Sequence, residues 1–179
     1  MTKARTKQIS LTRFATGTAR LSPEYCTFVA AACALKLKQH GHPATASFVL
    51  KGAFNETVNF KWEEPDPRSA DSFAEKATEF AGECVGILLC EKLTEFNVVE
   101  RSWINSGFDF WLGLKKDPLF QHKARLEMSG IDNGSDAEIA ARVRKKEAQV
   151  NAGSESSSGN ALIVVSQFQR PVATVVRYA

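Results

Sequence analysis

From residue 22 onward the apolar positions follow two alternating periods. Tyr25, Phe28, Val29, Ala32 and Leu35 recur at the spacing of one helix face. Ser22-Pro23-Glu24 supplies a hydroxyl N-cap and a proline at the first helical position, while Gly41 and Pro43 stop the helix near His40. Residues 46–51 and 57–62 form a hairpin pattern in which Val58, Phe60 and Trp62 alternate with Thr57, Asn59 and Lys61. Helical spacing returns at Phe73, Ala77, Phe80, Ala81, Cys84, Val85 and Leu88 and predicts a helix over 71–94. Within it, Gly82 and Gly86 lower helix propensity and favour close packing. Three strands are expected at 97–104, 107–114 and 123–131. Ser135-Asp136-Ala137-Glu138 is a capping box that opens a third helix, to about residue 150. Asn151 to Asn160 reads as a low-complexity, mobile linker. Ala161 to Gln167 is apolar enough for a strand buried on both faces, and Arg170-Pro171 turns the chain into a last strand over 172–178.

These elements predict an α/β fold, with a mixed central sheet flanked by helices. A chain of 179 residues, 44% hydrophobic, can bury a real core. We read residues 1–20 as a basic flexible tail and 21–179 as one domain. Within it, 21–65 is a helix-plus-hairpin extension and 70–179 the core. The formal net charge of +3 is too small to announce nucleic-acid binding, so local clusters must carry that argument. Cys26, Cys33, Cys84 and Cys90 form no C-x-x-C pair and lie in apolar, helix-like runs, as buried free thiols of a reducing cytoplasm do. The basic start is not followed by a signal-peptide core. The most apolar run, Tyr25 to Leu35, is about half the ~20 residues a membrane span needs. A soluble cytoplasmic protein with no membrane partner is expected. No nucleophilic triad, P-loop or dinucleotide fingerprint is present, and His40, His42 and His122 lack metal-ligand spacing. Trp103 and Trp111 read as packing residues.

The chemistry is concentrated in the hairpin 107–114/123–131. A register symmetric about Pro118 sets Phe108 against Met128, Phe110 against Leu126 and Leu112 against Ala124, making one side apolar. On the other side Asp109 then lies opposite Glu127, with Cβ atoms roughly 4.5–5.5 Å apart. Like charges placed so closely need an offset, and Mg²⁺ or Mn²⁺ supplies one by taking oxygen ligands from one or two carboxylates plus water. Lys123, Arg125 and Ser129 share that polar face, a mixture suited to phosphate as well as metal. On the third helix Ile139, Val143 and Val150 point to the core, while Arg142, Lys145 and Gln149 form a second stripe beside Lys146. That stripe is either a solvated basic face or a phosphate-contacting one. Glu75, Glu79 and Glu83 form an acidic ladder on the helix 71–94, which is either solvated or aimed at the acid pair through Glu79 or Glu83.

From residue 71 the order helix, three strands, helix, strand resembles the restriction-endonuclease-like α-β-β-β-α-β core of the PD-(D/E)XK nuclease superfamily. Gly82-Glu83-Cys84-Val85-Gly86 resembles its glutamate-bearing helix, Gly107-Phe108-Asp109 its aspartate motif, and Leu126-Glu127-Met128-Ser129 its E-x-K position. The resemblance covers residues 70–178. It implies a Mg²⁺-dependent nuclease with Asp109 and Glu127 as metal ligands, helped by Glu83 or Glu79. Lys123, Arg125, Arg142, Lys145 and Lys146 would then meet nucleic acid. One position departs: Ser129 stands where the family carries lysine. Either the lysine role has moved to Arg142, Lys145 or Lys146, or Lys123 substitutes for it, or the fold is catalytically dead. In the last case the chain is an adaptor or binding subunit of a multi-protein bacterial system such as phage defence. A protein partner or a homo-oligomer is compatible with each reading.

Overall fold

Alternating strands and amphipathic helices assemble into an α/β fold built on an eight-stranded mixed sheet. The computed structural model describes residues 7–117, 122–153 and 159–178. Its strands are β1 (Lys7–Ser10), β2 (Thr45–Gly52), β3 (Thr57–Lys61), β4 (Phe96–Arg101), β5 (Phe110–Leu114), β6 (Ala124–Ile131), β7 (Ala161–Gln167) and β8 (Val172–Tyr178). They lie in the order β1-β3-β2-β8-β7-β6-β5-β4. β4, β5 and β6 form an antiparallel run, and β7 joins β6 in parallel. The helices are α1 (Leu11–Phe14), α2 (Pro23–Gln39), α3 (Ser69–Phe73), α4 (Ala77–Leu93) and α5 (Asp136–Ala152).

β7 explains the layering. All seven of its residues are buried because its alternating side chains feed two cores. Leu162 and Val164 join the larger core with α2, α4, Leu126 and Met128. Ile163 and Val165 join a smaller core with Ile139, Val143 and Val150 of α5. The α5 start is the expected capping box: Ser135 and Glu138 each accept from the other's backbone N–H. All four cysteines are buried and free, as their apolar setting predicts. Among the described residues no helix is long and apolar enough to cross a membrane.

Three expectations are corrected. The helix over 71–94 is broken: α3 ends at Phe73, Ala74 adopts a positive φ of 44°, and α4 begins at Ala77. Part of the expected N-terminal tail belongs to the fold. Lys7–Ser10 pair in parallel with β3, and Leu11 and Phe14 are buried in the larger core. At the other end of the domain α5 runs two residues into the expected linker, to Ala152; residues 154–158 of that linker lie outside the described residues.

The two helix glycines set the approach of α4 to the sheet. A Cβ on Gly82 would collide with the backbone of Gly130 on β6, and one on Gly86 with the Met128 side chain. Backbone therefore meets backbone at Gly82, which brings the neighbouring Glu83 to the end of β6. Gly82→Ala should cost about 2–3 kcal/mol, because neither backbone can yield without shifting helix or strand. Urea unfolding checks this, and a loss below about 0.5 kcal/mol would contradict it.

Candidate functional site

The site forms where β5 leaves β6. β5 pairs with β6 from Phe110–Leu126 to Leu112–Ala124, in the register the sequence predicts. β6 continues to Ile131 alongside β7. At the junction Asp109 N–H donates to Leu126 O (2.9 Å), and Met128 N–H donates to Asp109 Oδ2 (2.8 Å). The carboxylate thus takes a backbone donor of β6 that a strand carbonyl would otherwise meet. Phe108 does not continue the alternation. It packs edge-on against Trp111 at 4.6 Å in the α5-side core, while Met128 lies in the other core. The cause is the preceding loop, where Asn105 and Gly107 have φ of 70° and 90° and buried Ser106 Oγ donates to Phe108 O (3.0 Å).

Asp109 and Glu127 are near enough for the charge of one to raise the pKa of the other. Glu127 is only 1% exposed. Burial, and then the charge of Asp109, push its pKa up to about 8, against the opposing pull of Lys146. Burial also raises Asp109, with the charge of Glu83 adding to the shift. Glu127 Oε1 accepts from Lys146 Nζ and from Gln149 Nε2 (3.2 Å). Its Oε2 is buried and receives no donor among the described residues. A buried, donor-free carboxylate oxygen beside a second carboxylate suits a hard cation. Among the described residues no group of three or more His, Cys, Asp or Glu side chains stands together as metal ligands.

Helices from opposite faces wall a cavity of about 450 Å³ that Asp109 lines. α4 contributes Thr78, Glu79 and Glu83; β6 contributes Met128, Ser129 and Gly130; α5 contributes Arg142, Lys145, Lys146 and Gln149. The polar stripe of α5 thus faces the acids. Lys146 pairs with Glu127, and Arg142 donates to Ser129 Oγ (2.7 Å). Glu79 is exposed and bridges to Lys76 at 3.2 Å. Two expected contributors are elsewhere. Lys123 is exposed and does not line the cavity. Arg125 is 2% exposed and donates to Val150 O (3.0 Å), so it ties β6 to α5 and does not present a surface to nucleic acid. The polar side of the hairpin is covered by α5, which is why Arg125 and Trp111 are buried.

Two residues that the sequence reading passed over shape the site. Glu83, itself buried, accepts from Tyr25 Oη (2.5 Å) on α2 and from Arg101 (2.6 Å) at the end of β4. The Arg101 guanidinium lies 4.5 Å from the Phe110 ring centre and 5.5 Å from that of Tyr25. Nothing in the local pattern marks either residue, since Tyr25 reads as one member of an apolar helix face and Arg101 as a strand end. The helix α2 of the N-terminal extension therefore reaches the site directly. The chain matches no protein-family model, no curated protein and no solved structure.

Proposed function

We propose that this chain is a Mg²⁺- or Mn²⁺-dependent phosphodiesterase acting on nucleic acid, of PD-(D/E)XK type. The observation that carries the reading is the burial of Glu127 beside the charge of Asp109, which lines a cleft, with Lys146 on Oε1 of Glu127. An acid pair held against its own repulsion costs folding free energy, and a bound cation would offset that cost. When bound, the cation would lower the pKa of a water and stabilise charge developing on the phosphate.

The chain's own residues do the rest. Asp109 and Glu127 hold the cation. Gln149 and Lys146 orient Glu127, and Lys146 supplies the positive charge that Ser129 cannot. Arg142 and Lys145 on the cavity wall neutralise flanking phosphates, so binding weakens with salt. Glu83 adds negative charge at the inner end, held by Tyr25 and Arg101. The order α4, β4, β5, β6, α5, β7, with β7 parallel to β6, supports the resemblance.

A catalytically inactive adaptor, a subunit of a multi-protein bacterial system such as phage defence, is the second reading. Its supporting observation is that Lys146 and Arg101 already compensate Glu127 and Glu83.

The pure protein should cleave DNA or RNA with Mg²⁺ or Mn²⁺ and lose cleavage on Glu127→Ala. Mn²⁺ should also raise its melting temperature, since a ligand at a hundred times its Kd adds about 2.7 kcal/mol, and should leave Glu127→Ala unmoved. Mn²⁺ stabilisation without cleavage of any nucleic acid would favour the adaptor. Neither effect would remove the metal site itself.

A further inference from the structure

Beside the acid cleft lies a second cavity, of about 580 Å³, and Asp109 and Gln149 line both. Its outer wall is the β4–β5 loop, where Trp103 is 53% exposed and Ile104 90% exposed. The sequence reading of Trp103 as a packing residue is therefore corrected, whereas Trp111 is buried. Two large apolar side chains facing solvent at the mouth of a polar cleft lower solubility and add nothing to either core.

The loop is also built to hold them there. Ser106 is buried, with its Oγ 2.8 Å from Ser102 Oγ and 3.0 Å from Phe108 O, within hydrogen-bond reach of both. Gly107 and Gly153 approach backbone to backbone: a Cβ on Gly107 would lie 2.7 Å from Gln149 O, and one on Gly153 would collide with Ser106 O. The loop is thus clamped to the end of α5, and Trp103 is displayed from a fixed base. Its ring is tilted 52° to Trp111 at 6.2 Å, so it is not stacked on its neighbour.

We propose that Trp103, flanked by Ile104, is a stacking platform for an unpaired base of the strand bound at Asp109 and Glu127. This deepens the nuclease reading and rests on it. An aromatic face beside basic side chains is the chemistry by which single strands are held without sequence preference, since every base has a π-face. Phosphates of the same strand would meet Arg142 and Lys145 across the cleft, while the adjoining base reaches the platform through the shared Asp109–Gln149 margin. In duplex nucleic acid the bases are already stacked on one another, so the substrate class is single-stranded, flapped or frayed nucleic acid.

The test measures fluorescence anisotropy of the full chain on labelled single strands of DNA and RNA, blunt duplexes of the same sequence, and an abasic strand. Ca²⁺ replaces Mg²⁺, and the probes are checked for integrity afterwards. Trp103→Ala should weaken single-strand binding about tenfold or more. It should leave duplex and abasic-strand binding within about twofold, and Trp103→Phe should restore most of the loss. Melting curves confirm that both variants fold; should Trp103→Ala not fold, Trp103→Phe against Trp103→Leu gives the same comparison. Equal loss on all probes, or no loss on any, overturns the platform while leaving the nuclease reading in place. A wild-type protein that binds none of the probes removes both. A wild-type dimer that Trp103→Ala converts to monomer, with binding unchanged, identifies the surface as a self-interface and overturns the proposal.

Discussion

Asp109→Asn is expected to stabilise the metal-free protein while abolishing the cleavage of nucleic acid proposed for it. The asparagine Oδ1 can still accept from Met128 N–H, and its amide can donate toward Glu127 Oε2, a buried oxygen with no donor among the described residues. Satisfying such an acceptor and removing a like charge is worth about 1–3 kcal/mol. For a chain of this size that is a rise of about 2–4 °C in Tm per kcal/mol. The pH dependence gives the sign. The carboxyl of Glu127 titrates near 8 in the fold, above its ordinary value of 4.5. Its stability contribution is therefore complete below about 4.5 and is lost as pH rises towards 8. Wild-type Tm in EDTA should fall across that window. Asp109→Asn should fall less, so the gap widens with pH and levels off above about 8. Cleavage should drop by a hundredfold to a thousandfold or more, on the scale of losing one electrostatic stabiliser of the transition state. A variant less stable than wild type throughout, or a gap that narrows with pH, would show that the two acids do not repel.

The sequence made the acid pair legible because a hairpin leaves little freedom. Phe110 and Leu112 must share a side with Leu126 and Ala124 to complete the larger core, and side-chain parity then directs Asp109 to the side of Glu127. Gly82 was legible for a similar reason: a residue that weakens its own helix has to be explained by what it touches, which is Gly130. The α5 face was legible from its period, since burying Ile139, Val143 and Val150 leaves Arg142, Lys145 and Gln149 to one side.

What the pattern could not supply was tertiary. Alternation assigns sides but does not say what covers them, so the polar side of the hairpin read as open when α5 lies across it. Arg125 is the clearest case. Its guanidinium ties two elements together inside the fold, which a charged residue on an alternating strand does not advertise. Phe108 changed sides because positive φ angles at Asn105 and Gly107 broke the strand just before it, and a glycine alone does not say which way a loop turns. Neither Ala74 nor Lys7–Ser10 carried a signal. Alanine seldom interrupts a helix, and four residues paired in parallel with a distant strand show no period. Tyr25 and Arg101 were missed because their roles arise only when α2, α4 and β4 meet at Glu83.

Lys146→Ala should separate metal binding from catalysis. The Lys146 ammonium pairs with Glu127 and is itself only partly exposed, so on the proposed reading it is the basic partner of the acid pair. Removing it deletes no carboxylate. Mn²⁺ should therefore bind Lys146→Ala at least as tightly as wild type, because one competing cation has gone. The cleavage rate should fall by about a hundredfold to a thousandfold with little change in substrate affinity, since the lost charge acts on the transition state. Variants of Asp109 or Glu127 should instead lose metal and rate together. A lysine at position 129 offers the complementary experiment. Arg142 donates to Ser129 Oγ, so a lysine there would meet a like charge unless Arg142 is changed as well. Ser129→Lys combined with Arg142→Gln in the Lys146→Ala background should recover at least about a tenth of the lost rate. If Lys146→Ala cleaves within about threefold of wild type, the basic partner of the acid pair lies elsewhere. If wild type binds Mn²⁺ and none of these chains cleaves, Lys146 is a counter-ion of a silent site, the arrangement the adaptor reading requires.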